Sequence, residues 1–460
     1  MKKNLIIIGV LILALVILLG CKKKQATGVG PANIVVWGLD DNDSMQGIIS
    51  SFQKARPGST VTYKKFNDIK EYESVLINEI AEGKGPDVFY FHNTWLPRHV
   101  NKVVPLVSEF FTPAMFKETY VRVAAQDMMQ PDPADGVEKI YSLPLYVDTL
   151  ALYNNKDFFE RKLPERGKPA ELWSVFQSEA ARFTDQDSES GALTRGAIAF
   201  GDSANINNAT DILYSLFLQA EASLYDKNFK QLALKQSTND AFDYYLSYSK
   251  KNNKNFSWSP DDFFTDGVSK SGNEEAFLSG KVASMMAYSD FAHDLGTKIK
   301  NVKSKVGNSI SESDVAVVPS PQFSGSEADH KAFANYWGLS VSRTSKIPNT
   351  AWDFVRFAGS QPQLKLYVDA TGRPTSRRDL ISEQRGRPLL EAFVQQLGFA
   401  DSYRLFDKVR FDEEVAKAID NAAGGQSSKS ALDGVQDSMN QLLKLQAPKG
   451  LYPPVVIKKK

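Results

Sequence analysis

Between residues 33 and 92 the chain alternates between two hydrophobic periods, and this narrows the fold more than any other feature of it. "NIVVWG" is a short apolar run closed by Gly38. "DSMQGIISSFQKARPG" places Met45, Ile48, Ile49 and Phe52 on one helical face, with Asp43 or Ser44 as cap and Pro57-Gly58 as stop. "TVTYKKF" reads as a strand. Ile69, Tyr72, Val75, Leu76 and Ile80 make a second amphipathic helix closed by Gly83, and "GKGPDVFYF" supplies a third strand. Strand, helix, strand, helix, strand predicts an α/β chain whose sheet is mostly parallel and covered by helices.

The pattern continues in longer strides. "TLALYNNK", "RGAIAFG", the run after Gly280, "DVAVVPSP" and "YWGLSVSR" read as further strands. Lys156 to Arg182 is mainly helical, broken by Pro164, Gly167 and Pro169. Residues 209–250 read as helical, with Ile212, Leu213, Leu216 and Phe217 on one face. Asn349 caps "TAWDFVRFAG", and helices dominate from there to about Leu445, before a tail, "PPVVIKKK". At about 100–200 residues per domain, 460 residues suggest two or three domains or one large two-lobed body.

The ends and the charge balance bound the surroundings. Met1-Lys2-Lys3 followed by Leu5 to Leu19 has the basic and apolar regions of an export signal. Leu18-Leu19-Gly20-Cys21 resembles the bacterial lipobox, whose cysteine is lipidated and becomes the first residue; two acyl chains on Cys21 anchor stably where one does not. An uncleaved anchor helix is the other reading. Either one puts residues 22–460 outside the cytoplasm, at the membrane. Residues 22–32 read as a tether. Cys21 is the only cysteine, so no intramolecular disulfide forms. With 55 basic against 54 acidic residues, nothing supports a nucleic-acid partner.

Seven stretches together resemble the extracellular solute-binding proteins of family 1, receptors of ATP-binding-cassette importers that include maltose and oligosaccharide binders. They are "IVVWG", "EGKGPDVFYFHNTWLP", "YSLPLYVDTLALYNNKDFF", "EEAFLSGKVASMMAYSDF", "VAVVPSPQ", "YWGLSVSR" and "NTAWDFVRFAGSQPQLKLYVDATGRPTS", in the family's order over about residues 33–445. The resemblance implies a type II periplasmic-binding-protein-like fold, a monomer of two α/β lobes joined by a hinge. Lobe one is expected at 33–147 plus 316–372 and lobe two at 148–315 plus 373–460. It further implies a solute held between the lobes, most simply a carbohydrate, permease transmembrane subunits as partners, and no enzymatic activity or cofactor. A peptide, polyamine or glycerol-phosphate receptor, or a sensor, is the alternative within the class.

The expected contacts follow strand ends. Asp40 and Asp41 follow "IVVWG", where family members place hydroxyl-binding side chains; helix capping is the plain alternative. Asn93 and Trp95 follow "DVFYF", a hydrogen-bonding amide beside a ring able to stack on a sugar face. Asp148 stands at the first crossover between lobes, where relatives carry an acidic hydroxyl acceptor, with Tyr146 beside it. Asp202, Tyr288 and Asp290 line the second lobe, Trp337 the returning strand near Asn335, and Arg373 the "TGRP" turn, with Phe411 a weaker candidate.

Two other classes share residue types with this chain. "FGDS" and Asp290-Phe-Ala-His293 imitate GDS-type esterases, with Ser203 as nucleophile, His293 as base and Asp290 as its orienting partner, but the serine block does not open the chain and no Gly-x-Asn-Asp block follows. A metal site would use the histidines at 92, 99, 293 and 330, of which only His92 and His99 could share a helix face, and their spacing is not that of a ligand set.

Overall fold

The structure is a computed structural model that describes residues 30–446 apart from 108, 110, 133, 227–229 and 265–271. The export segment, Cys21, most of the tether and the "PPVVIKKK" tail lie outside the described residues. Two five-stranded sheets, each with its own apolar core, carry the architecture.

In the first sheet β1 (Asn33–Gly38) pairs in parallel with β2 (Thr60–Lys65) and β3 (Val88–His92), as the alternation predicts. The helix Asn42–Ala55 buries Met45, Ile48, Ile49 and Phe52, and its N-cap position falls on Asp41, whose side chain makes no capping bond. The helix Ile69–Ala81 buries Tyr72, Leu76 and Ile80, and the Asp68 carboxylate accepts from the Glu71 N–H at 2.7 Å to cap it. Ile69, expected on the buried face, is half exposed. A hairpin of β4 (Met129–Pro131) and β5 (Glu138–Ile140) follows. The sheet is completed in the order β2-β1-β3-β14-β6 by β6 (Leu143–Pro144) and β14 (Trp337–Val341).

The second sheet has the order β12-β8-β11-β10-β9, from β8 (Ala151–Asn155), β9 (Asp185–Gln186), β10 (Leu193–Ile198), β11 (Val282–Ala287) and β12 (Val315–Pro319). A three-stranded sheet lies apart from both: β7 (Asp148–Thr149), β13 (Ala332–Asn335) and β15 (Ala400–Asp401) in the order β15-β13-β7. These are places where the chain passes from one core to the other.

Four expectations change. Both sheets are mixed rather than mostly parallel: β14 runs antiparallel to β3 and β6, and β8 antiparallel to β11 and β12, because these strands enter from crossovers rather than from βαβ units. The boundary expected at 315/316 cuts through β12, whose register Val315↔Asn155 to Pro319↔Ala151 ties it to the second sheet. Residues 209–250 are two helices, Ala209–Gln219 and Gln236–Leu246, the first buried on nearly every side because it lies inside the second core. Pro348 rather than Asn349 starts the helix Pro348–Ala358, its fixed φ suiting the first helical position.

Candidate functional site

A cavity of about 230 Å³ lies where the two cores face each other, walled by residues of both and of the connecting strands. Its aromatic wall is a product of strand register. β3 and β14 pair with Trp337 opposite His92, so the two rings meet edge to face at 4.7 Å between centroids. The chain then turns at His92–Trp95, the Trp95 N–H bonding the His92 carbonyl at 3.0 Å, which brings Trp95 edge-on to Trp337 at 5.1 Å and stacked over Tyr72 at 6.0 Å. Offset and edge-to-face contacts of this kind hold rings rigidly. Both tryptophans are largely buried and present only part of a ring to the cavity.

The polar wall converges on Asp211, near the start of the helix Ala209–Gln219. Its carboxylate accepts from the Tyr288 hydroxyl at 2.8 Å, the Asn335 amide at 2.8 Å and Lys408 Nζ at 2.7 Å. Lys408 also reaches Asp412 at 2.7 Å, and Asp412 accepts from the Tyr214 hydroxyl at 2.7 Å. Burial alone would raise Asp211; the Lys408 charge and these donors outweigh it and hold the carboxyl below its usual range. Asp412, where burial prevails, is raised.

That network also fixes a tautomer. The Asn335 amide nitrogen is committed to Asp211, so its oxygen, 2.7 Å from His92 Nε2, must accept a proton from the ring. His92 Nδ1 then accepts from the Thr94 hydroxyl at 2.8 Å. Burial, with the Lys408 charge behind it, pushes His92 down to about 4, so the ring is neutral near pH 7.

Two carboxylates complete the cavity without a cation hydrogen-bonded to either among the described residues. Asp148 is buried and accepts from the Ser289 N–H at 3.1 Å, the Ser289 hydroxyl at 2.6 Å and its neighbour Thr149 N–H at 2.9 Å. Burial raises it to about 7, and the nearby Asp290 charge adds to the rise. Asp290 stands open to the cleft, its carboxylate held among the described residues by the Phe291 N–H at 2.9 Å. The cleft walls raise its pKa by desolvation, against the pull of Arg373 and Lys298. Arg373 lies 4.2 Å over the Tyr146 ring and pairs with Asp40 at 2.8 Å, so its charge is already met.

Trp95, Asp148, Tyr288, Asp290, Trp337 and Arg373 therefore come together, with Tyr146 and Asn335 among them. Asp40 sits one layer back, bound to Arg373 and to the hydroxyls of Tyr90 and Tyr367 at 2.8 and 2.6 Å. Four expected contacts lie elsewhere. Asp41 is exposed and pairs with Lys65 at 2.5 Å, because it faces solvent at a helix start. Asn93 points into the protein, donating to Asp127 at 3.0 Å and the Ala334 carbonyl at 3.2 Å, since its buried amide needs partners there. Asp202 organises its own loop, accepting from the Ala204 N–H and the Asn205 amide. Phe411 is core, stacked on Tyr214 at 5.5 Å.

The serine relay is not assembled: the Ser203 hydroxyl donates to Asp420 at 2.5 Å, while Asp290 faces the cavity. His92 and His99 share no helix, since His92 ends β3 and His99 lies in the helix Leu96–His99, bonded to Glu73 at 2.8 Å. Sequence reasoning missed Ile69, Glu73, Asn208, Lys408, Val409 and Asp412, which also line the cavity. Ile69 and Glu73 were hidden in a helix whose other face is core, and the last three open a helix far down the chain, Lys408–Ala423, with no motif to mark it.

Toward solvent a second cavity of about 580 Å³ shares Glu73 and Val409 with the first. It is spanned by ion pairs between the helices of one core and the Lys408–Ala423 region: Arg98 to Asp407 at 2.5 Å and Lys70 to Glu413 at 2.9 Å.

Known proteins match along nearly this whole body. The family described as "Bacterial extracellular solute-binding protein" matches residues 38–365. Among solved structures, a cyclo/maltodextrin-binding protein crystallised with maltotetraose is 18% identical, with a TM-score of 0.68 over 91% of this chain and 99% of that one. The sugar-binding protein MalE of Xanthomonas citri is 18% identical, with a TM-score of 0.70 over 90% and 98%. The GacH receptor of Streptomyces glaucescens, solved unliganded and with acarbose, is 18% identical, with a TM-score of 0.66 over 90% and 99%. At these identities the structures speak for the two-lobed fold, and the family match covers well over half of the residues. The chain belongs to the bacterial extracellular solute-binding proteins.

Proposed function

We propose that this protein is a lipid-anchored, extracytoplasmic receptor that holds a carbohydrate between two lobes and presents it to the transmembrane subunits of an ABC importer. The observation that carries the reading is the composition of one cavity: partial faces of Trp95, Trp337, Tyr146 and Tyr288 beside Asp148 and Asp290, two carboxylates with no cation hydrogen-bonded to them among the described residues. Rings pack on the CH faces of a sugar, and a carboxylate accepts two hydroxyl protons at once. Arg373 and Lys408 also line the cavity, yet each is paired with aspartate, which disfavours an anionic solute.

The reading is supported further by the sugars named for the similar structures: maltotetraose in one, acarbose in another and mannobiose in a third. Closure would turn about β7, β13 and β15, with the lobes built on the two five-stranded sheets. Cys21, outside the described residues, would carry the lipid, and the receptor would act as a monomer.

A thermal-shift screen against sugars, peptides, polyamines and glycerol phosphates tests it. A specific sugar should raise the midpoint by mass action. A response to another class with silence from every sugar would sink the carbohydrate claim.

A further inference from the structure

We propose that Asp127 makes the hinge proton-operated: with its carboxyl protonated the passages between the two cores stay clasped, and its ionisation lets them part. The hinge meant is the one placed above at β7, β13 and β15, on which this rests.

Asp127 lies in the helix Arg122–Met128 and is 2% exposed. Its Oδ2 accepts from the Asn93 amide at 3.0 Å, just past β3, and from the Tyr336 hydroxyl at 2.7 Å, while its Oδ1 accepts from the Ser402 hydroxyl. Tyr336 stands between β13 and β14, and Ser402 directly follows β15, so one carboxylate joins two passages of the chain. Ala400 belongs to the first core and Tyr403 to the second, which puts Ser402 at the changeover. The same helix grips this stretch elsewhere: Arg122 donates to the Ala400 carbonyl at 2.7 Å, and Arg404 donates back to the Gln126 and Met129 carbonyls at 2.5 and 2.8 Å.

Burial raises the Asp127 carboxyl to about 6, although its three side-chain donors and the Arg404 charge favour the ionised form. Arg404 is itself buried and brought down to about 10, and the Tyr336 hydroxyl, raised well above its usual range, stays protonated. His92, beside Asn93, is neutral near pH 7. Arg122 lies 3.7 Å from Asp401, which Lys331 meets at 2.6 Å. Against the Asp127 helix β4 and β6 bring no charged residue, and the helix Pro113–Thr119 brings an exposed Glu118 and Lys117, paired with Glu138 at 2.7 Å.

Linkage sets the direction. Clasped away from water, the carboxyl keeps its proton up to about pH 6; where the passages part and water reaches it, it ionises near the ordinary value of about 3.9. The arrangement that binds the proton more tightly gains as pH falls, so acid favours the clasp and rising pH favours parting, by up to ~100-fold between about pH 4 and pH 7. The hinge is therefore stiff in acid and yields near neutrality.

Small-angle scattering of the unliganded protein from pH 5 to pH 8, with urea unfolding at both ends, tests this. The wild-type radius of gyration should grow with pH, and it should do so equally in Asp148→Asn, which removes another carboxyl raised toward this window. Asp127→Asn, the same shape without a charge, should keep the pH 5 radius throughout and unfold at higher urea than the wild type at pH 8. A carbon-13 titration of the wild-type Asp127 carboxyl should turn near pH 6. A titration near pH 4, or an Asn variant weakened equally at pH 5 and pH 8, overturns the switch. A wild-type radius that pH leaves unchanged while Arg98→Ala enlarges it overturns the switch and leaves the hinge standing; a radius that neither moves overturns both.

Discussion

Lys408 Nζ lies 2.7 Å from Asp211 Oδ1, a contact made across 197 residues of chain. It ties the Lys408–Ala423 helix to the wall that orients Tyr288 and Asn335. Burial works against the Lys408 charge, yet Asp211 and Asp412 outweigh it and raise its pKa. Lys408→Met leaves two carboxylates without their cation, and removal of one partner of a buried pair costs about 3–5 kcal/mol. Urea unfolding should show a loss of that size, and adding Asp211→Asn should restore part of it. No recovery in the double variant would show that the helix needs the lysine for packing instead.

Asp148 sets a pH dependence. Its pKa, about 7, is above the unfolded carboxylate value, so between roughly pH 4 and 7 the native state binds more protons than the unfolded chain. This group therefore lowers stability as pH rises through that window and has no further effect above it. Hydroxyls donate best to the ionised form, so solute affinity should climb from about pH 6 to pH 8. Asp148→Asn should bind more weakly and with a flat profile; a wild-type affinity that falls over this range would contradict the role given to Asp148.

The pairs Arg98–Asp407 and Lys70–Glu413 close the rim of the cleft. Pairs as open to solvent as Lys70–Glu413 are worth about 0–1 kcal/mol, enough to bias two arrangements but not to fix one. In the Lys70→Ala, Arg98→Ala double variant, small-angle scattering of the unliganded protein should give a larger radius of gyration, and affinity should drop severalfold. Raising salt on the wild type should move both readouts the same way. An unchanged radius would mean that the rim pairs do not hold the lobes together.

Gly372 holds φ +67 directly before Arg373, and a Cβ placed there would come within 2.6 Å of His293 Nδ1. Gly372→Ala should cost about 1–2 kcal/mol from the left-handed backbone and weaken solute binding by moving Arg373 off Tyr146. Thermal unfolding and calorimetry on this variant read the two effects separately.

The Ser203 hydroxyl donates its hydrogen bond to Asp420, not to the His293 that the esterase reading needs as base. Ser203→Ala should leave any ester hydrolysis at background; serine-dependent turnover would reopen the esterase reading.

What the sequence made legible was whatever local periodicity or a strand end could mark. The β1 to β3 alternation was visible because each element buries its own apolar face, and Met45, Ile48, Ile49 and Phe52 needed no distant partner to be recognised. Trp95, Asp148, Asp290 and Trp337, which line the cavity, are marked in the sequence because they follow or open strands. Asn93 and Asp202 satisfied the same rule and failed, since a loop amide or carboxylate serves its own backbone and neighbours as readily as a solute. Lys408 and Asp412 were illegible because only packing inside the second core brings their helix against the Asp211 helix, across 197 residues of chain. Which strands crossed over, and so the antiparallel pairings of β14 and β8, depended on the same distant contacts.

The strand order β2-β1-β3-β14-β6 has a consequence for how the chain is made. β14 is an interior strand of the first sheet, yet it leaves the ribosome only after every strand of the second. Until Trp337 to Val341 emerges, β3 and β6 have no partner between them, and the first half of the polypeptide cannot complete its sheet. Pairings so distant along a chain form slowly. A polypeptide that must thread through a membrane before folding gains from that delay: its own topology postpones compaction while the chain is in transit.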